Sequence, residues 1–476
     1  MNIKSKNIFY FTLIYFAIRL FSYFFNPSTP LWTASCVNTA IAAIVAVLTA
    51  YFLIKNDIRG WLIIAGEIIL CGSGNILSLE PLSLRSVLLI LAIIIFFTRI
   101  IKEKKISQTF NLRQPINILI LSLFIWAVLS AMLGIINKHS PTLVISDFIP
   151  YCFILYFYPL KEIITNKKFR SIGLTMVVSA IIGNVAFTLF TLAGFSSGIF
   201  VLQDHYYHWL RDVATGKITD VGLGYFRIVL NEQLLLIPLF VLFAGKQIFK
   251  KERLNLLVIS SAAAIMAVNL TRIYYLALII GLGILFWKTN WRRTVKIISV
   301  SLISIFIIFT ALHLITSRGQ NLGWEFFGLR LQSITAPQIE DSSLSRMLLL
   351  PKIIEKIIIP DSIFGLGLGD TVTVFSPIFN KEITTPHFDW GYLEITAESG
   401  LIGLSLWLFL IVLLIRDIIK KPNKNGPVIL SMIIALLIIN ITSPALFHVF
   451  GIMLITTIAA SNDAWKQSSD APLHIS

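Results

Sequence analysis

The sequence predicts an all-α polytopic integral membrane protein of about fourteen transmembrane helices. Three observations predict it. The chain is 56% hydrophobic and only 13% charged over 476 residues, with a mean hydropathy of +0.83, well outside soluble composition. Long apolar runs recur from end to end, so this is not a soluble body with one anchor. Basic residues then alternate between successive short loops, as cytoplasmic loops of a multi-pass protein require.

Taken in order, hydropathy centres the spans near Tyr15, Val45, Glu67, Leu91, Ile125, Tyr151, Ile181, Ile237, Ala263, Ile280, Phe306, Phe409, Ile434 and Leu454. The first follows a basic start and lacks a small-residue cleavage site, so it reads as an uncleaved span rather than a signal peptide. Lys55 and Arg59, then Arg99, Lys102, Lys104 and Lys105, then Lys161, Lys167, Lys168 and Arg170 fill alternate loops. The pattern continues through Lys246 to Arg253, Lys288 to Lys296, and Arg416 to Lys424. Both termini are therefore expected in the cytoplasm.

Two long segments fall outside, 197–225 and 317–390. Long loops in a compact protein are usually functional or disordered. The second contains "LSRMLLLPKIIEKIII", with Ser345, Arg346, Lys352, Glu355 and Lys356 near one face and Met347, Leu348, Ile353, Ile354, Ile357 and Ile358 on another. Such an amphipathic helix is expected in the membrane interface, with Pro351 kinking or restarting it. No internal repeat and no linker divides the chain, which reads as a single membrane domain over 1–476.

Composition also excludes functions. The formal charge of +15 belongs to basic cytoplasmic loops, because no basic patch is interleaved with an aromatic nucleic-acid motif. Cys36, Cys71 and Cys152 have no metal or redox spacing and read as structural. "GLGLGD" at 365–370 lacks the spacing and the βαβ setting of a dinucleotide fingerprint, and reads as a glycine-rich turn. Arg19, Glu67 and Asp147 fall within or near spans. Intramembrane charges are functional candidates by default, and a transporter would use them, but no relay of further charges accompanies them.

Sidedness gathers three other residues. Arg227 opens a span from the outer side, Arg272 lies in a tight outer turn, and His387 closes the large outer loop. The commoner role of an arginine at a span end is a snorkelling anchor, but the outer side is the wrong one for routine basic anchors. Guanidinium forks grip phosphate oxygens and stay charged at any relevant pH. A histidine beside them can take a proton from a hydroxyl near neutral pH. Diphosphate held by fixed cations is a good leaving group. The combination suits transfer of a group from a lipid diphosphate to a hydroxyl. His139, His205, His208, His313, His448 and His474 read as interfacial hydrogen-bonders. His205 and His208 have helical metal spacing but no third ligand.

Over residues 222–419 the chain resembles the O-antigen ligase/polymerase superfamily of bacterial inner-membrane enzymes. The carrying stretches are "DSSLSRMLLLPKIIEKIIIPDSIFGLGLGD" followed by "HFDWGYLEITAESGLIGL", together with the upstream "TRIYYLALIIGLGILF" and Arg227. The resemblance implies an inverting glycosyltransferase that needs neither metal nor cofactor. Its donor would be an oligosaccharide on undecaprenyl diphosphate, and its acceptor a glycan or lipid A core. His387 would activate the acceptor, and Arg227, Arg272 and Arg346 would hold the diphosphate. Asp389 and Glu398 would orient His387 or contact sugar, and Trp390 and Tyr392 would stack on sugar rings. A chain-length regulator is a partner class the resemblance allows, beside membrane lipid; nucleic acid is not. "RIVLNEQ", with only Asn231 and Glu232, departs from the usual ligase pattern. So do Phe388 and Asp389, where ligases often carry Asn. Both departures favour a polymerase, with a ligase as the alternative and a flippase or transporter as a lesser one. The polar residues lie at one face and no repeated halves are visible, unlike most transporters.

Overall fold

The computed structural model describes residues 5–29, 31, 36–80, 82–250, 252–289, 291–336, 341–358, 362–376, 380–386, 388–420 and 425–470. The fold is about 75% helical. In chain order it begins with α1 (Ser5–Phe25), α2 (Cys36–Ile54), α3 (Ile58–Leu70), β1 (Ser78–Leu79), β2 (Leu82–Ser83), α4 (Leu84–Lys102), α5 (Ile106–Thr109), α6 (Pro115–Ile136), α7 (Pro141–Cys152), α8 (Phe157–Ile163) and α9 (Lys167–Ser196). There follow α10 (His205–Asp212), β3 (Gly216–Gly222), β4 (Tyr225–Leu230), α11 (Leu236–Phe249), α12 (Arg253–Asn269), α13 (Arg272–Lys288), α14 (Trp291–Thr316) and α15 (Trp324–Thr335). The last are α16 (Asp341–Ile358), β5 (Val372–Ser376), β6 (Lys381–Thr385), α17 (Gly391–Lys420), α18 (Gly426–Ile439) and α19 (Val449–Asp470).

Among the described residues, nine helical segments are long and apolar enough to cross a membrane, and four shorter apolar helices accompany them. Each of the fourteen expected span centres falls inside a helix. α3 has 13 residues, about 20 Å of rise, which is short of a bilayer core of about 30 Å. The expected all-α architecture is supplemented by three two-stranded antiparallel hairpins, β1–β2, β3–β4 and β5–β6. The two long segments expected outside are thus built structure. The first carries α10 and the β3–β4 hairpin, the second α15, α16 and the β5–β6 hairpin.

In α1 and α2 burial runs opposite to that of a soluble protein. In α2 the buried residues are Asn38, Ala42, Ala46, Thr49 and Leu53, while Ile44, Val47, Leu48, Tyr51 and Ile54 are exposed. Small and polar side chains face the neighbouring helices and bulky apolar ones face outward, the pattern of helices packed in lipid. In α1 the buried residues are Tyr15, Arg19 and Ser22. These helices are membrane-embedded.

The chain forms two compact units, each discontinuous in sequence: 1–106 with 159–323, and 107–158 with 324–476. In the first unit α9 packs against α1, α3 and α12, and α12 also packs on α11 and α14. The β3–β4 hairpin lies against α9, α10 and α12. In the second unit α17 packs against α6, α16, α18 and α19.

Candidate functional site

In the first unit the site is built from β4, the head of α11 and the turn between α12 and α13. A strand puts alternate residues on one face, so Tyr225 and Arg227 of β4 reach the end of α12 together. The Tyr225 hydroxyl donates to the Ala267 carbonyl at 2.9 Å, and Arg227 Nε donates to the Asn269 carbonyl at 2.7 Å. Burial holds the Tyr225 hydroxyl well above the ordinary tyrosine range, so it remains a donor. Leu270 ends α12 in the left-handed conformation, with φ +52°. That reversal brings Thr271 back beneath β4, where its Oγ1 accepts from Arg227 Nη2 at 3.1 Å. Arg272 is the next residue and the first of α13. The fold therefore bonds one expected diphosphate-binding arginine to the residue preceding the other.

A buried ion pair lies on the same unit. Glu232 and Gln233 occupy a tight turn of 3₁₀ helix, Asn231–Leu235, at the head of α11. Glu232 Oε1 accepts from Arg19 Nη2 at 2.7 Å, from Tyr15 OH at 3.2 Å and from Asn184 Nδ2 at 3.2 Å. The Arg19 guanidinium also lies over the Tyr15 ring, 3.4 Å from its centroid. A second buried pair joins Arg85 Nε to Glu67 at 2.9 Å, and Arg85 Nη2 donates to the Gly72 carbonyl at 2.8 Å. The intramembrane Arg19 and Glu67 thus have opposite-charge partners in Glu232 and Arg85, which hydropathy alone does not pair.

The second unit centres on an interruption of α17. The chain is non-helical at Gly400, with φ +66°, and the glycine-rich segment 365–369 enters the gap. Four successive backbone N–H groups are engaged there. Leu366 donates to the Ala397 carbonyl at 2.7 Å and Gly367 to the Glu398 carbonyl at 2.9 Å. Leu368 donates to the Ser130 carbonyl at 3.0 Å, and Gly369 to Asp147 Oδ2 at 3.0 Å. Before the break Trp126 Nε1 also donates to the Ser399 carbonyl at 2.7 Å, and on its far side Leu401 N–H donates to the Ser362 carbonyl at 2.9 Å. Irregular backbone at membrane depth survives only where protein satisfies it, and this segment does so for the broken helix. With these N–H groups turned inward, "GLGLGD" offers no cradle to a nucleotide phosphate.

The remaining expected site residues surround this feature. α16 buries Leu349 and Ile353 in a cluster with Val372, Phe388 and Ala397, and Ile357, Trp390 and Leu393 pack on it. The helix expected in the membrane interface therefore lays one stripe on α17, leaving Met347 and Ile354 exposed. It continues through Pro351 without ending. Arg346 Nε stands 3.6 Å from Asp389 Oδ2, both side chains part-exposed. Asp389 has φ +59° and lies just before α17. Tyr392 OH donates to the Leu437 carbonyl at 2.9 Å. Glu398 is fully buried beside the break. Asp370, at the end of the glycine segment, accepts from Lys356 Nζ at 2.6 Å. His387 lies outside the described residues.

Among the other histidines, His139 meets the Leu368 carbonyl at 2.9 Å through Nδ1, and His205 meets the Thr29 carbonyl at 2.9 Å through Nε2. His313 stacks on Tyr225. Among the described residues no group of three or more His, Cys, Asp or Glu is placed to hold a metal ion.

Arg227 and Arg272 belong to the first unit, and Arg346, Asp389, Trp390, Tyr392 and Glu398 to the second. Gln233 and Asn269 were not expected from sequence. Their only signal is an amide side chain in an otherwise apolar span start and span end. Comparison of the chain with family models, with curated proteins and with solved structures gives no match.

Proposed function

We propose that this protein is an inverting, metal-independent glycosyltransferase of a bacterial inner membrane, acting on undecaprenyl-diphosphate-linked glycan at the periplasmic face. In particular we propose a surface polysaccharide polymerase of the O-antigen type. About fourteen crossings, with both termini cytoplasmic and the two long segments periplasmic, go with this reading. The single observation that carries it is the bonding of Arg227 to the turn that presents Arg272. A guanidinium held against the turn that carries a second arginine suits a diphosphate better than it suits an independent membrane anchor.

The chemistry then follows. The acceptor hydroxyl attacks the anomeric carbon from the face opposite the diphosphate, and its proton passes to His387. The bond from the anomeric carbon to the diphosphate oxygen breaks with its electron pair, and the charge developing on that oxygen is met by Arg227 and Arg272. Arg346 is a weaker candidate for the same role. Asp389 and Glu398 are proposed to orient His387 or contact sugar, and Trp390 and Tyr392 to stack on sugar rings.

The test is a gene deletion complemented with wild type or with His387→Ala, with surface lipopolysaccharide resolved on a gel. A polymerase predicts single-repeat glycan on core without long ladders. Bare core with polymer accumulating on the carrier lipid identifies a ligase instead. An unchanged ladder in the deletion strain removes both readings and leaves other envelope glycans or transport.

A further inference from the structure

Thr271 is the N-cap residue of α13, yet its side chain makes no capping bond. A capping threonine normally accepts from the first turn of its own helix. Here the hydroxyl accepts from Arg227 Nη2 and donates to Asn269 Oδ1. Asn269 Nδ2 donates to Gln233 Oε1. Gln233 Nε2 donates to Asn184 Oδ1 at 3.2 Å and to Thr188 Oγ1 at 3.3 Å. Asn184 Nδ2 donates to Glu232 Oε1, the oxygen bonded to Arg19. Arg19 Nη1 donates in turn to the Leu70 carbonyl at 2.8 Å.

Donors and acceptors alternate without a break from Arg227 to Arg19. Each amide thereby has one allowed orientation, because a flipped Asn269 would set its oxygen against that of Gln233. The links are deeply buried: Asn269 is 0%, Gln233 2% and Asn184 4% exposed. An apolar interior would hold α9, α11 and α12 together at lower desolvation cost. What a polar chain with every amide oxygen and nitrogen bonded adds is a fixed geometry at its end, and its end is the Arg227 guanidinium.

We propose that Thr271, Asn269 and Gln233 are positioning residues that hold Arg227 in register for a polyprenyl diphosphate, with the Arg19–Glu232 pair as the anchored end of the chain. This inference rests on the diphosphate reading above. A displaced binding group loses affinity and rate even though its charge remains.

The experiment measures binding of radiolabelled undecaprenyl diphosphate to the full-length protein in phospholipid vesicles, beside the thermal midpoint of each variant. Thr271→Val keeps the shape and removes the hydroxyl, and is expected to weaken binding about tenfold, the scale of a lost hydrogen bond to a charged group. Thr271→Ser restores the hydroxyl and is expected to bind within about twofold of wild type. Gln233→Met removes both bonding groups two links away from Arg227. It is expected to weaken binding in the same direction, and it carries the test if Thr271→Val does not fold. Wild-type binding by Thr271→Val or by Gln233→Met, with Arg227→Ala impaired, overturns the positioning role and leaves the arginine clamp standing. Wild-type binding by Arg227→Ala overturns the diphosphate reading, and the inference with it.

Discussion

Glu232 Oε1 and Arg19 Nη2 lie 2.7 Å apart, with side chains 12% and 3% exposed. A charge pair so deep is costly to half-remove. Glu232→Ala leaves a buried guanidinium without its counter-ion and is expected to destabilise the protein by about 3–5 kcal/mol. The double variant Arg19→Met, Glu232→Ala removes both charges and is expected to recover most of that loss. Thermal midpoints in detergent, compared across the four members of the cycle, decide it. A double variant no better than Glu232→Ala would deny the pair its structural role.

The glycine segment makes a sharper contrast. Gly367 has φ +90°, and a Cβ there would lie 2.1 Å from Gly134 N. Gly367→Ala is expected to abolish folded protein, seen as loss of the monodisperse peak in fluorescence-detected chromatography. Gly173, within α9, has nothing within 4 Å of an added Cβ. Gly173→Ala is expected to be stabilising by about 0.5–1 kcal/mol, since alanine loses less backbone entropy in a helix.

Asp389 is held in the left-handed region, φ +59°, between buried Phe388 and the start of α17. Asp389→Gly is expected to fold as well as wild type, because glycine adopts this conformation freely and a part-exposed ion pair contributes less than about 1 kcal/mol. Asp389→Val is expected to lower stability by about 1–3 kcal/mol, since a β-branched residue is strained there. Paired melting curves measure both. If polymer length falls in Asp389→Gly at unchanged stability, the carboxylate has a role in activity besides its place in the fold.

Activity separates charge from fork geometry at Arg227. Arg227→Lys keeps the charge and loses the bonds to Asn269 and Thr271 together. On the proposed polymerase reading, polymer synthesis from purified lipid-linked repeat units is expected to fall by about tenfold or more. His387→Ala is expected to lower the rate by about 10²–10⁴ while leaving donor binding near normal. Loss of donor binding in His387→Ala, with its rate intact at saturation, would remove the general-base role.

The helices were legible because each span is long enough to show in hydropathy; even short α3, interrupted by Gly66 and Glu67, marks its centre. The glycine turn was legible too, since three glycines in alternation have few uses other than positive φ. Three things were hidden, each for a physical reason. The partners of Arg19 and Glu67 lie on other elements, Glu232 being 213 positions away, and hydropathy carries no pairing information. The break in α17 falls at Gly400, where "TAESGLIGL" reads as the polar entrance to a span and glycine alone does not announce a gap. The two units interleave in sequence, so no linker composition could mark them. Of the expected site, loop sidedness grouped Arg227 with Arg272, and the structure bonds Arg227 to Thr271 beside it. The amides that brace Arg227 were not legible, because buried Asn and Gln have no periodic signature.

The glycine segment also constrains how the protein is made. Ser130, Asn137, His139 and Asp147 all bond to residues 366–369, and Asn137 waits 229 positions for its partner, Leu366. Most of the first unit, residues 159–323, is translated in that interval. The centre of the second unit therefore closes only after more than three quarters of the chain has left the ribosome. Until then α6 and α7 stand in the bilayer with polar groups that their eventual neighbours do not yet cover. A nascent chain stalled before Gly365 presents that polar edge to lipid, the kind of exposed surface that insertases shield and membrane proteases remove.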